Sequence, residues 1–300
     1  MHCVGKRYRR VLLTSLAALF LGVVATPTKA EAVILYLSFQ AKGTFAGTKV
    51  TPADILQYDT DTGISSLFFD GSQYFTQTGD GIDAFDIQSD GTIYLSTHDR
   101  ARLIGVPGQF GRNDVIHYNP ATKTGTVAID GAAYFKAELS NIDVIDVLPD
   151  GSFLLSSGPR DQEVFAGLTV GPDDIFRFDP LTGTASLFFD GDSIFKIVGE
   201  KHVNIDAFDV MSDGRYLMSL DREFETLKNG TKVNDADLVV YNPATGEAGI
   251  FLDHHSITDW KGKHRDIEGV DSAPVIPEPM SFSLFGLGLA GLSFRRRVWF

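Results

Sequence analysis

Short apolar runs, broken by Asp, Asn, Gly and Pro, fill the chain between Val33 and Asp271. Runs this short, bounded by turn-forming residues, predict β-strands rather than helices. They also repeat. An aromatic closes an apolar strand at Tyr58, Tyr118, Phe178 and Tyr241, spaced 60, 60 and 63 residues apart. Each aromatic leads into a turn: Asp59 through Gly63, Asn119-Pro120 onward to Gly125, Asp179 through Gly183, and Asn242 through Gly246. A second strand follows each turn, as at residues 65–69 and 185–189. A third segment recurs at residues 82–87, 142–147 and 205–210, with a shorter copy at 267–271. The first three copies run into Asp90-Gly91, Asp150-Gly151 and Asp213-Gly214, a strong hairpin signal. A fourth strand then contains Tyr94-Leu95-Ser96, Leu154-Leu155-Ser156 or Leu217-Met218-Ser219.

Four short strands per unit, joined by hairpins and repeated at a fixed period, predict an all-β fold: a four-bladed β-propeller-like ring of about 60-residue repeats. The excess over a repeat of roughly 40 to 50 residues is assigned to loops such as residues 98–113. A β-solenoid or tandem β-sandwiches would produce similar repeats, and the two ends of the repeat region discriminate. The last copy has its third segment at Ile267 but no strand after it, because Pro274 intervenes. Residues 33–38, Val-Ile-Leu-Tyr-Leu-Ser, match the missing strand and stand before the first copy with no partner. If this N-terminal strand completes the last blade, the ring closes and no strand edge is left at the seam. The strand order is similar to that of NHL-type propeller repeats. That resemblance implies that the segment before each Asp-Gly hairpin lies innermost.

The flanks carry a different pattern. Lys6, Arg7, Arg9 and Arg10 precede an uncharged, mainly apolar run at residues 11–25, too short to span a bilayer as a helix. Residues 1–32 therefore read as a secretory signal peptide, cut after Ala32 or after Ala30. At the other end Pro277-Glu278-Pro279 leads into an uncharged Gly- and Leu-rich stretch and then Arg295-Arg296-Arg297. The prolines favour an extended approach, the apolar stretch suits a short transmembrane helix, and the arginines belong on the cytoplasmic side. This order resembles the PEP-CTERM sorting signal of Gram-negative bacteria that make extracellular polysaccharide. The resemblance implies recognition and cutting by an exosortase-type enzyme. Three parts follow: signal peptide 1–32, repeat domain 33–273, and sorting tail 274–300.

Charge narrows the partners. Between Val33 and Ile276, 18 Lys and Arg stand against 37 Asp and Glu, a net of −19. Such a surface excludes nucleic acid, whose phosphates require a basic face, and favours divalent cations. The single cysteine, Cys3, lies in the expected signal peptide, so the exported chain has neither a disulfide nor a thiol nucleophile.

No zinc-protease helix motif, nucleophile elbow or phosphate-binding glycine loop is present. Asp59-x-Asp61-x-Gly63 has the start of a calcium loop but lacks its later ligands, and reads as a turn. His254, His255 and His264, with Asp253, Asp259 and Asp266, read as polar residues of a divergent loop or as a metal site. The inner segments repeat two acids: Asp83, Asp143, Asp206 and Glu268, then Asp86, Asp146, Asp209 and Asp271. A carboxylate there is removed from water and must be hydrogen-bonded or metal-bound. Caps on amides of the adjacent blade are one solution. The other is a Ca²⁺ site made by Asp83, Asp143, Asp206 and Glu268 around the ring axis. The sequence thus predicts an exported protein of the cell envelope or extracellular matrix, transiently anchored in the inner membrane by its C-terminal helix. Its expected role is non-catalytic, in binding or structure, with extracellular polysaccharide or a surface protein as partner. A metal-dependent hydrolase or lactonase on the same scaffold is the alternative.

Overall fold

The computed structural model describes residues 33–76, 81–136, 141–158, 163–195, 203–221, 225–257 and 266–274. The expected signal peptide and all but the first residue of the sorting tail, including its helix, lie outside these residues. Among the described residues no helix is long and apolar enough to cross a membrane.

Four antiparallel four-stranded sheets make the blades. From inner to outer strand, blade I is Ile267–Pro274, Val33–Phe39, Ile55–Asp59 and Ser65–Phe69. Blade II is Ile82–Ile87, Ile93–Thr97, Val115–Asn119 and Thr124–Ile129. Blade III is Ile145–Val147, Phe153–Leu155, Asp174–Asp179 and Thr184–Asp190. Blade IV is Ile205–Val210, Tyr216–Leu220, Leu238–Asn242 and Glu247–Leu252. The N-terminal strand closes the ring as expected: Val33 pairs with Pro274, Tyr36 with Asp271 and Leu37 with Val270. The inner strands contact one another in the cyclic order blade I, II, III, IV and back to I, so the segments before the Asp-Gly hairpins are innermost.

The inner and second strands of each blade are mostly buried on both faces, which explains why they read as short continuous apolar runs, whereas the outer strands are largely exposed. Four clusters fill the seams. Leu35, Leu37, Phe39 and Val270 of blade I pack with Leu217 and Leu238 of blade IV. Ile55 and Phe69 pack with Phe85 and Leu95 across the seam from blade I to II. Ala84 and Val115 meet Phe153 and Phe178 between blades II and III. Leu154 and Phe189 meet Phe208 and Met218 between III and IV. Leu35 and Leu37 are fully buried, and each such side chain contributes about 1.5–3 kcal/mol of transfer free energy.

Two local features differ from expectation. The excess repeat length is partly structured, as small hairpins pairing Gly43–Phe45 with Thr48–Val50, Glu163–Phe165 with Leu168–Val170, and Glu225–Thr226 with Lys232–Val233. Within residues 98–113 an isolated bridge joins Ala101 and Phe110. The Asp-Gly connections are also longer than two residues. Gly91 N–H donates to the Gln88 carbonyl at 2.8 Å, and Gln88 N–H to the Thr92 carbonyl at 2.8 Å. Gly91, Gly151 and Gly214 all have φ of +82° while their preceding aspartates do not enter the left-handed region. This is the three-residue loop with a left-handed glycine, and Asp90 Oδ1 secures it by accepting Thr92 N–H at 2.9 Å.

Candidate functional site in the ring centre

The repeated acids fall into two groups with different partners. Asp86, Asp146, Asp209 and Asp271 span the seams. Val147 N–H donates to Asp86 Oδ2, Val210 N–H to Asp146 Oδ2, and Ile87 N–H to Asp271 Oδ2, each at 3.0 Å. The Ser272 hydroxyl donates to Asp209 Oδ2. Each blade therefore grips the next through one carboxylate, by the amide-capping solution in three seams and through a serine hydroxyl in the fourth. Burial pushes these carboxyls up: Asp146 to about 6 and Asp271 to about 7. Asp86 and Asp209 are raised well above the ordinary range, first by burial and then by neighbouring acids.

Serines of the second strands add a parallel stitch. Ser96 Oγ donates to the Ile142 carbonyl at 2.8 Å, Ser156 Oγ to that of Ile205 at 3.5 Å, and Ser219 Oγ to that of Ile267 at 2.5 Å. The fourth serine, Ser38, is buried with no hydrogen-bond partner for its hydroxyl. Its seam, between blades I and II, holds a cavity of about 220 Å³ lined by Phe39, Gln40, Gly81, Asp83, His98 and Glu268, among others.

Asp83, Asp143, Asp206 and Glu268 are all buried. In blade II the strand pairing runs Ile82 with Thr97 and then Phe85 with Leu95, so Asp83 and Ala84 share the place opposite Ser96. A similar irregularity surrounds Asp206, and a bulge of this kind re-aims the side chains beside it. Asn141 Nδ2 donates to Asp143 Oδ1 at 2.6 Å and also lowers the Asp83 carboxyl by hydrogen bonding. Asn204 Nδ2 donates to Asp143 Oδ2 at 3.2 Å and to Asp206 Oδ1. The Glu268 and Asp83 carboxyls act on each other, both line the same cavity, and burial raises both. Asp143 and Asp206 are raised well above the usual range, again chiefly by burial.

Three residues absent from the predicted set complete the group: Asn141, Asn204 and Asp266. Asp266 is not part of the group formed by Asp253, His254 and His255, with which the sequence associates it. Instead one ligand oxygen from each of Asp206, Asp266 and Glu268 lies within 4.8 Å of the others. Burial, followed by repulsion from Asp235 and Asp221, pushes Asp266 to about 8. The signal that could have found these residues is positional. Gly81, Asn141, Asn204 and Asp266 each stand immediately before the isoleucine that begins an inner segment.

His264 and Asp259 lie outside the described residues. His254 follows the capping residue Asp253, as Gly71, Gly131 and Gly191 follow theirs. Asp237 Oδ1 accepts His254 N–H at 2.9 Å and lies 2.7 Å from its Nδ1. Asp54 and Asp114 accept Gly71 N–H and Gly131 N–H in the same way. The structure thus gives His254 a scaffold role, although Asp253, His254 and His255 offer clustered ligand atoms. The Asp59 motif is a turn: Asp59 Oδ1 accepts Asp61 N–H at 2.8 Å, as Asn119, Asp179 and Asn242 do for their counterparts.

No curated protein matches the chain. A protein of unknown function from Bacteroides caccae is similar at 10% identity and a TM-score of 0.33, covering 81% of this chain and 99% of its own. Virginiamycin B lyase from Staphylococcus aureus is similar at 10% identity and a TM-score of 0.35, covering 82% and 90%. Hemopexin fold protein CP4 from cow pea is similar at 11% identity and a TM-score of 0.38, covering 75% and 91%. The four-bladed ring rests on the strand pairing itself rather than on these likenesses. At the C-terminus, residues 275–297 match the PEP-CTERM protein-sorting motif.

Proposed function

We propose that this chain is an exported, non-catalytic propeller that serves as a binding or structural module at the cell surface or in the extracellular polysaccharide matrix. The sorting motif carries the reading, because it directs a folded ring to an exosortase-type enzyme. The repetition of the ring supports the non-catalytic role. Its seam acids Asp86, Asp146, Asp209 and Asp271 recur blade by blade and are engaged in inter-blade hydrogen bonds, as are three of the four seam serines, whereas catalysis calls for a unique converging set. On this reading residues 1–32 are removed on export, the tail anchors the chain transiently in the inner membrane, and processing releases it.

Intact-mass measurement of the form released by the native host tests this. The expected mass lacks residues 1–32 and the segment after Pro279. A released form that keeps Arg295, Arg296 and Arg297 would refute sorting. Binding of host exopolysaccharide without turnover is expected of that form, whereas EDTA-sensitive hydrolysis of esters or lactones would make it a metal-dependent hydrolase or lactonase.

A further inference from the structure

At the Asp83 end of the inner strands, the residue immediately before each strand's isoleucine decides how neighbouring carboxylates are reconciled. Asn141 lies between Asp83 and Asp143, and Asn204 bonds both Asp143 and Asp206. Asn204 supplies amide hydrogens to two acids that would otherwise repel, and Asn141 supplies one to Asp143. At the next position around the ring stands Asp266, whose carboxyl offers at most one hydrogen, and only while protonated, where each amide offers two. Asp206, Asp266 and Glu268 consequently crowd three carboxyl oxygens within 4.8 Å of one another. Their residues are only 4, 4 and 8% exposed.

A second observation points to a ligand. Asp266 Oδ1 and Asn204 Oδ1 are buried and have no hydrogen-bond partner, although Asn204 is already tied to Asp206 through its Nδ2. Asp83 Oδ2, from the neighbouring blade, is likewise without a partner. Buried polar atoms are nearly always satisfied, and orphans gathered in one place call for a water or an ion. The orphans here are all oxygens, and they accompany three carboxylates.

We propose that a single calcium ion binds off the ring axis between blades IV and I, held by the carboxylates of Asp206, Asp266 and Glu268 and by Asn204 Oδ1. All the donors are oxygen, the preference of a hard cation. Several carboxylates with irregular spacing suit calcium, which accepts six to eight oxygens in loose geometry, better than magnesium, which demands an octahedron. The neighbouring seam supplies a route. At the fourth position Gly81 has no side chain, and the cavity it lines reaches Glu268 and Asp83. The rim side chains His98 and Asp99 are 56% and 66% exposed. This differs from a symmetric site of four equivalent acids, because the Asn141 and Asn204 amides already neutralise much of the Asp143 side.

The test uses the full chain, expressed with its signal and tail and purified in detergent. Calorimetric titration of the EDTA-stripped protein with calcium chloride should show one ion per chain, and calcium should raise the melting temperature while magnesium chloride at equal concentration raises it less. Asp266→Asn installs the amide found at positions 141 and 204. It should lower calcium affinity about tenfold or more, yet melt no lower than wild type in EDTA, because the new amide can donate to the neighbouring acids. Should Asp266→Asn not fold, Glu268→Gln provides the same affinity measurement. Asp86→Asn, in the other acid group, should retain one calcium per chain. Absence of calcium binding by wild type, stronger binding of magnesium, or undiminished calcium affinity in the Asp266 or Glu268 variant would overturn the proposal.

Discussion

Asp146 should make the ring weaker as pH rises, and replacing it with asparagine should reverse the usual cost of losing a hydrogen-bonded acid. Its carboxyl accepts Val210 N–H across the seam between blades III and IV at 3.0 Å. Burial pushes it from 3.8 to about 6. Below pH ~4 the group is protonated in both the folded and unfolded chain. Between ~4 and ~6 the unfolded chain releases the proton while the folded chain keeps it, so the folded state binds more protons and stability falls as pH rises. At ~1.4 kcal/mol per pH unit, the gap amounts to about 3 kcal/mol, lost by the time pH passes the folded-state value. Asp146→Asn keeps an oxygen to accept the Val210 N–H and does not titrate. Urea denaturation at pH 4, 5, 6, 7 and 8, at constant ionic strength in EDTA, measures both proteins. The variant should gain on wild type by about 3 kcal/mol across this range, mostly before pH ~6.5. The Asp146 charge helps raise Asp86, Asp209 and Asp271, so its removal lowers these acids in the variant and adds to the variant's gain as pH rises. A constant difference, or a variant that loses ground as pH rises, would refute the reasoning.

Ring closure predicts that deleting residues 33–38 abolishes the cooperative thermal melt followed by circular dichroism, because this strand lies between Ile267–Pro274 and Ile55–Asp59; an unchanged melt would indicate an open array. The milder Leu35→Ala removes a fully buried side chain from the closing blade and should cost about 2–5 kcal/mol in urea denaturation. Gly131→Ala would place a Cβ 1.9 Å from the Asn113 carbonyl oxygen, and the forced backbone shift should cost about 1–3 kcal/mol or more by the same assay. Gly151→Ala meets nothing within 4 Å but must hold φ of +82°, so its cost should stay near ~1–2 kcal/mol.

Much of the fold was legible because a ring of blades repeats its local rules. Tyr58, Tyr118, Phe178 and Tyr241 mark the same position in each copy, and the unpaired strand at 33–38 announces the seam that the Val33 to Pro274 pairing closes. The acids of the inner strands were also legible as a problem, since a carboxylate in an apolar strand needs a partner. Which partner it has was not. Asp86 and Asp83 stand three residues apart in one strand, yet one caps Val147 N–H in the next blade and the other lines a cavity with Glu268. Nothing local separates them, because their partners lie about 60 and 185 residues away along the chain.

Asp266 shows the same limit most clearly. In the sequence it sits beside His264 and reads as part of a histidine loop; in the ring it is the counterpart of Asn141 and Asn204 and faces Asp206 and Glu268. Sequence alone determined the strands, their period, the turn residues and the strand that closes the circle, since each depends on near neighbours or on exact repetition. Only the tertiary structure decided which acids became inter-blade clamps and which were left as crowded oxygens without donors. Hydrogen bonding and charge repulsion act over a few ångströms, and the ring brings together at that range residues that the chain keeps far apart.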